Sequence, residues 1–196
     1  MQYDLHIENS KQSGSIEIIC GAMFSGKTEE LLRRIRRAQL AKQKVEIFKP
    51  AVDNRYDEAN IVSHDARSVS STPVSSAARI LLLVQDADVV GIDEAQFFDS
   101  ELVNVCNTLA NRGVRVIVAG LDMDYLGKPF GPVPQLMAIA EHVTKLHAIC
   151  ISCGNLAQYS YRKSDENKKI VIGETDRYEA LCRQCFTKKS STEKKP

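Results

Sequence analysis

The chain has 196 residues, 43% of them hydrophobic and 26% charged, with a formal net charge of +1. That length can bury one sizeable core with a small appended module. The near-zero charge argues against broad electrostatic attachment to nucleic acid, and no apolar run approaches the roughly 20 residues that span a bilayer.

The polar stretch Met1 to Gly14 lacks the apolar middle of a signal peptide, so residues 1–14 are expected to be a flexible tail and the location cytoplasmic. An apolar strand is predicted over Ile16–Cys20. It leads into Gly21-Ala22-Met23-Phe24-Ser25-Gly26-Lys27-Thr28 and then an amphipathic helix over Lys27–Leu40, the strand, loop and helix order of a P-loop. In such a loop successive N–H groups cradle the phosphates of a nucleoside triphosphate such as ATP. Lys27 reaches the outer phosphates and the Thr28 hydroxyl can ligate Mg²⁺.

On the helix, Glu29 and Glu30 precede Arg33 and Arg34 by four residues, so both i,i+4 pairs are predicted. The Arg33, Arg34, Arg36 and Arg37 cluster then reads as a solvated or subunit-facing surface, with nucleic-acid contact as the alternative. A strand follows at Val45–Phe48 and a helix at Val74–Gln85. Between them Asp53-Asn54-Arg55 has the composition of a turn, and His64 has no role that the residues reveal.

Val89–Ile92 is a third apolar strand, and it ends in Asp93-Glu94, where a Walker-B element belongs. Asp93 is the expected Mg²⁺-side carboxylate and Glu94 the candidate general base. The alternative is an acidic pair that merely caps a following helix. Asp99-Ser100 is a candidate cap for a helix over Ser100–Asn111, which Gly113 ends before a strand at Val114–Ala119. Alternating strands and helices predict an α/β fold, a P-loop NTPase domain with a mainly parallel central sheet flanked by helices.

A last helix is predicted over residues 134–141, with a module boundary near 142, giving a nucleotide-binding domain at 15–142 and a small C-terminal zinc-ribbon domain at 143–187. Of the six cysteines, Cys20 and Cys106 read as core. Cys150-x-x-Cys153 and Cys182-x-x-Cys185 supply the four thiolates of a closed structural Zn²⁺ site, with redox pairs or disulfides as alternatives. The long segment Gly154 to Leu181 would be a loop closed at its base by metal, a substrate-covering lid bearing Gly173 and Tyr178. Residues 188–196, rich in Lys and Ser, are expected to be a flexible tail.

Residues 21–31, Asp93-Glu94-Ala95-Gln96-Phe97-Phe98, Gly120-Leu121-Asp122-Met123-Asp124-Tyr125, Lys128-Pro129-Phe130-Gly131 and the cysteine pairs together closely resemble the type II thymidine kinases over about residues 15–187. The resemblance implies transfer of the ATP γ-phosphoryl group to the 5′-hydroxyl of thymidine, and more weakly deoxyuridine, in nucleotide salvage for DNA synthesis. It implies that Glu94 is the base, that Ala95 and Gln96 join the ATP/Mg²⁺ side, and that the zinc-closed loop is a lasso whose backbone at Ser160, Lys169 and Val171 reads the thymine edge, with Gly173 also substrate-binding. It assigns Phe130 and Tyr178 to the walls around the base, Met23, Phe97, Leu121 and Tyr125 to the pocket, and Asp53 and Arg55 to the sugar or phosphate side.

For Met23, Leu121 and Phe130 the alternative is ordinary core, and for Tyr178 it is packing within the loop. A homotetramer inhibited by dTTP is implied by resemblance alone. Tyr125 stands where animal members commonly have phenylalanine, and Ala22 where others have proline or serine. The competing function is a zinc-ribbon nucleic-acid-binding NTPase, for which the chain lacks length and further motor elements.

Overall fold

In the computed structural model, residues 13–51, 60–62, 68–163 and 177–192 are described. The first half runs β1 (Ser15–Gly21), α1 (Lys27–Leu40), β2 (Val45–Pro50), β3 (Asn60–Val62), β4 (Ser68–Ser70), β5 (Thr72–Val74), α2 (Ala78–Leu83), β6 (Val89–Ile92) and a 3-10 turn (Ala95–Phe97). Then come α3 (Leu102–Asn111), β7 (Arg115–Gly120), α4 (Val133–Ile139), β8 (His142–Leu146), β9 (Ala148–Ile149), β10 (Leu156–Ala157), β11 (Tyr159–Arg162), β12 (Tyr178–Leu181) and α5 (Arg183–Thr192).

Six strands form a parallel sheet in the order β5-β2-β6-β7-β1-β8. The apolar runs are continuous because both faces are covered. Leu31, Leu32, Ile35 and Ala38 of α1 pack with Ile19, Ile47 and Ile117 on one face. On the other, Ile80 of α2, Leu102, Val105 and Leu109 of α3, and Val133 and Leu136 of α4 pack with Ile18, Val90 and Val118. The fold is therefore the expected α/β type. Cys20 and Cys106 are core thiols, which burial pushes up to about 11 and about 12.

Several expected boundaries move. Val74 ends β5 rather than opening a helix, and α2 begins only at Ala78, after the Asp99 carboxylate has accepted the Ala77 N–H at 3.2 Å. The same carboxylate accepts the Glu101 N–H at 3.0 Å, so Asp99 ties together the starts of α2 and α3. The sheet does not stop near 142: β8 pairs with β1 from Glu17↔His142 to Gly21↔Leu146. The expected tail is helical to Thr192, because Phe186 stacks on Tyr159 with centroids 4.4 Å apart and Lys189 pairs with Glu179.

The arginine cluster also differs from expectation. Glu30 is the carboxylate observed to pair with both Arg33, at 2.6 Å, and Arg34, at 2.8 Å. Arg34 is not a solvated cation: it reaches Glu17 at 2.7 Å and Thr144 at 2.9 Å, while Arg115 meets the other Glu17 oxygen at 2.6 Å. Glu17, on the buried strand β1, is 8% exposed. Burial pushes its carboxyl upward, but the Arg115 and Arg34 guanidiniums outweigh that and hold it below the ordinary range.

Because its folded-state value is depressed, Glu17 contributes stability above its unfolded value of about 4.3 that is lost as pH falls through the folded value. Glu17→Gln should cost about 3 kcal/mol in chemical denaturation at pH 7, since it leaves two partly buried guanidiniums undercompensated. The variant should also lose less stability than the parent on acidification. A change below about 0.5 kcal/mol at pH 7 would show the network to be dispensable.

Candidate active site

Gly21, at φ 144°, ends β1 so close to β8 that an added Cβ would lie 2.2 Å from the Leu146 carbonyl oxygen. A side chain there would push the loop off the sheet. The loop then turns through Phe24 at φ 64° and Gly26 at φ 84°, and Gly26 caps α1. Lys27 Nζ donates to the Ala22 carbonyl at 2.8 Å. The Thr28 hydroxyl lies 3.4 Å from Asp93 Oδ2, so the helix that leaves the loop brings it to the acid at the end of β6.

Asp93 is buried. Its Oδ1 accepts the Glu94 N–H at 2.9 Å, and Glu94 sits at φ 50°, a left-handed conformation unusual for a residue with a side chain. This turn directs the chain into Ala95–Phe97, from which Gln96 Nε2 reaches Glu94 Oε2 at 2.5 Å. Gln96 Oε1 accepts the Leu121 N–H at 2.9 Å, just past the end of β7. The acids are thus tied to the first turn of α1 and, through Gln96, to the end of β7, and neither side chain caps the 3-10 turn.

The segment after β7 folds back on itself. Asp124 Oδ1 accepts N–H groups of Leu126 and Lys128, both at 2.9 Å, and Phe130 donates its N–H to the Asp122 carbonyl at 3.1 Å. This loop carries Tyr125 and Phe130. Phe130 meets Phe97 edge to face with centroids 5.9 Å apart. Gly131, at φ 54°, lets the returning segment press on the 3-10 turn, since a Cβ there would come within 2.4 Å of the Gln96 carbonyl oxygen.

The C-terminal unit approaches through β11. Ser160 Oγ accepts the Met23 N–H at 3.0 Å, and the Arg162 guanidinium lies 3.5 Å above the Tyr125 ring. Tyr178, on β12, pairs in register with Arg162 and is buried. Arg162 was not legible as a site residue by motif. Strand periodicity is the signal that finds it, because any strand that turns Ser160 toward the loop turns Arg162 to the same side. Asp53, Arg55, His64, Lys169, Val171 and Gly173 lie outside the described residues.

The four thiols of Cys150, Cys153, Cys182 and Cys185 lie within 4.8 Å of one another, and Cys153 Sγ is 3.6 Å from Cys182 Sγ. All are free, at separations well beyond a disulfide bond. The Cys185 backbone N–H draws the Cys182 thiol down, while the Cys153 and Cys182 thiols push Cys185 up to about 12. Four converging sulfurs that compete for protons suit a tetrahedral, thiolate-ligated metal.

Among the described residues, no helix is long and apolar enough to cross a membrane. Ser160→Ala removes the acceptor of a part-buried P-loop amide. Hydrogen exchange at the Met23 amide should accelerate by about tenfold or more in that variant, the equivalent of about 1.4 kcal/mol. An unchanged exchange rate would mean that β11 does not hold the loop.

A family model described as thymidine kinase matches residues 14–186. A thymidine kinase of Bacteroides fragilis strain YCH46 is 61% identical over 181 residues, covering 92% of this chain and 91% of that protein. One from Porphyromonas gingivalis strain W83 is 58% identical, covering 96% and 94%. One from Rhodothermus sp. strain ITI 518 is 64% identical, covering 88% and 81%. A P-loop joined to an Asp-Glu strand end and a four-thiol unit, in a chain sharing well over half its residues with these enzymes, places it in the thymidine kinase family.

Proposed function

We propose that this enzyme phosphorylates thymidine at its 5′-hydroxyl with the γ-phosphoryl group of ATP, yielding dTMP for salvage. The observation that carries the reading is Glu94 placed one residue beyond Asp93, whose carboxylate meets Thr28 of the loop, in a chain matched by the family over residues 14–186. The loop residues Gly21 to Thr28 hold the triphosphate, with N–H groups, the α1 N-terminus and Lys27 stabilising its charge. Glu94 accepts the proton of the attacking hydroxyl as the new O–P bond forms and the bond to the ADP oxygen breaks.

Thr28 and Asp93 are a hydroxyl and a carboxylate, the hard oxygen donors that Mg²⁺ takes, and when bound it would neutralise charge on the β- and γ-phosphates. Ala95 and Gln96 border that side. On this reading Met23, Phe97, Leu121, Tyr125, Phe130 and Tyr178 surround the base, and Asp53 and Arg55 serve the sugar or phosphate side. The backbone at Ser160, Lys169 and Val171 would then pair with the thymine edge, with Gly173 also on the substrate side, which would disfavour bases whose polar groups stay unpaired. Inhibition by dTTP, a homotetramer, a cytoplasmic location and the division of the chain into a nucleotide-binding unit and a lasso unit belong to the same reading.

With MgATP, the protein should phosphorylate thymidine well and deoxyuridine more weakly, leaving deoxycytidine and deoxyadenosine nearly untouched. Glu94→Gln should lower kcat by about 10²–10⁴-fold while ATP binding persists. No thymidine phosphorylation by metal-replete protein would sink the reading, and DNA-stimulated ATP hydrolysis in its place would favour the zinc-ribbon NTPase.

The four thiols are the proposed Zn²⁺ ligands. Elemental analysis should find about one zinc per chain. Cys153→Ser should lower both metal content and melting temperature, because metal binding is part of the folding free energy of such a unit. Parental stability in metal-free protein would contradict a structural zinc.

A further inference from the structure

Gln96 is 3% exposed, and its side chain joins two parts of the site that are distant in sequence. The Leu121 N–H can only donate, so it fixes the amide oxygen on its side and turns the amide nitrogen toward Glu94. Room for this amide is made by Gly120, where a Cβ would come within 3.1 Å of Gln96 Oε1. The Gln96 backbone is in turn clamped from the far side by Gly131. Glu94 itself occupies a left-handed conformation that its own preferences do not select, so its carboxylate depends on its neighbours for direction.

We infer that Gln96 is a positioning residue that aims the Glu94 carboxylate and links that aim to the nucleoside-side loop beginning at Leu121. This rests on the reading of Glu94 as the proton acceptor. The loop from Leu121 to Gly131 carries Tyr125 and Phe130, so a shift of that loop moves the Leu121 N–H, the Gln96 amide and the carboxylate together. The chemical step is unchanged: the hydroxyl proton passes to Glu94, its oxygen bonds to phosphorus, and the leaving electron pair stays on ADP.

The test is a double-mutant cycle on the full chain. Gln96→Met removes both contacts without adding charge, while Gln96→Glu keeps an acceptor for the Leu121 N–H but sets a second carboxyl against Glu94 that competes with it for one proton, so it is read beside the first through its pH profile. A carboxylate misplaced by about an ångström loses on the order of 10²-fold, so kcat should fall by about that factor with both KM values within about twofold. Glu94→Gln combined with the Gln96 variant should be no slower than Glu94→Gln alone.

Unchanged kcat in a folded Gln96 variant, a rise in KM in place of the kcat loss, or multiplicative losses in the double variant would each overturn the inference. If Glu94→Gln is slow while the Gln96 variants are not, the base assignment survives and this inference fails. If Glu94→Gln turns over at the parental rate, both fail.

Discussion

The site depends on a constraint of strand order: β7 lies between β1, which delivers the P-loop, and β6, which delivers Asp93 and Glu94. Neighbouring strands are about 4.8 Å apart, so the loop and the acids start roughly 10 Å from each other. Two devices close that distance. On one face of the sheet α1 turns back and sets the Thr28 hydroxyl 3.4 Å from Asp93. Above the strand ends, the left-handed turn at Glu94 tips the 3-10 turn toward β7, where the Gln96 amide meets Leu121. The space between is bounded by the loop backbone on one side and acids on the other.

The C-terminal unit meets a different physical problem. Its apolar cluster is small, Ala148, Cys150, Ala157, Tyr161, Ala180, Leu181 and Cys182, with Cys185 and Phe186 beside it. A core of that size is a weak source of stability, which is the situation in which small modules rely on metal or cross-links. The Tyr159–Phe186 stack adds to that core, and the converging thiols stand where a bound metal would add a cross-link. Because Ser160 and Arg162 project from the same face of β11, order in this unit is transmitted both to the P-loop at Met23 and to Tyr125.

Features written in contiguous residues were legible in the sequence. The apolar run before Gly21, the helix Lys27–Leu40 and the strand Val89–Ile92 have the periods that local rules read, and the thiol pairs carry their own spacing. Features that depend on distant partners were not. Arg34 looked solvated because Glu30 lies one turn away, whereas Glu17 and Thr144 reach it only after β1 and β8 have paired. Residues 188–192 looked like tail because Phe186 and Lys189 find Tyr159 and Glu179 only across the folded unit. Gln96 was assigned through a motif, but the motif says nothing of where its amide points.

The contacts at the loop also suggest how it stays ordered before phosphate arrives. Backbone N–H groups that converge on one point cannot all bond to each other, and a buried donor without an acceptor is costly. Here neutral acceptors engage one backbone donor and one side-chain donor: Ser160 Oγ takes the Met23 N–H, and the Ala22 carbonyl takes the Lys27 ammonium. At the Met23 N–H, exchanging the neutral acceptor for an anionic oxygen would strengthen the bond, because charge-assisted hydrogen bonds are roughly twice as strong as neutral ones, whereas the Lys27 ammonium contact is charge-assisted already. The exchange at Lys27 stays within the loop. The contact at Met23 crosses to β11, so it is the point at which the loop and the C-terminal unit are physically coupled.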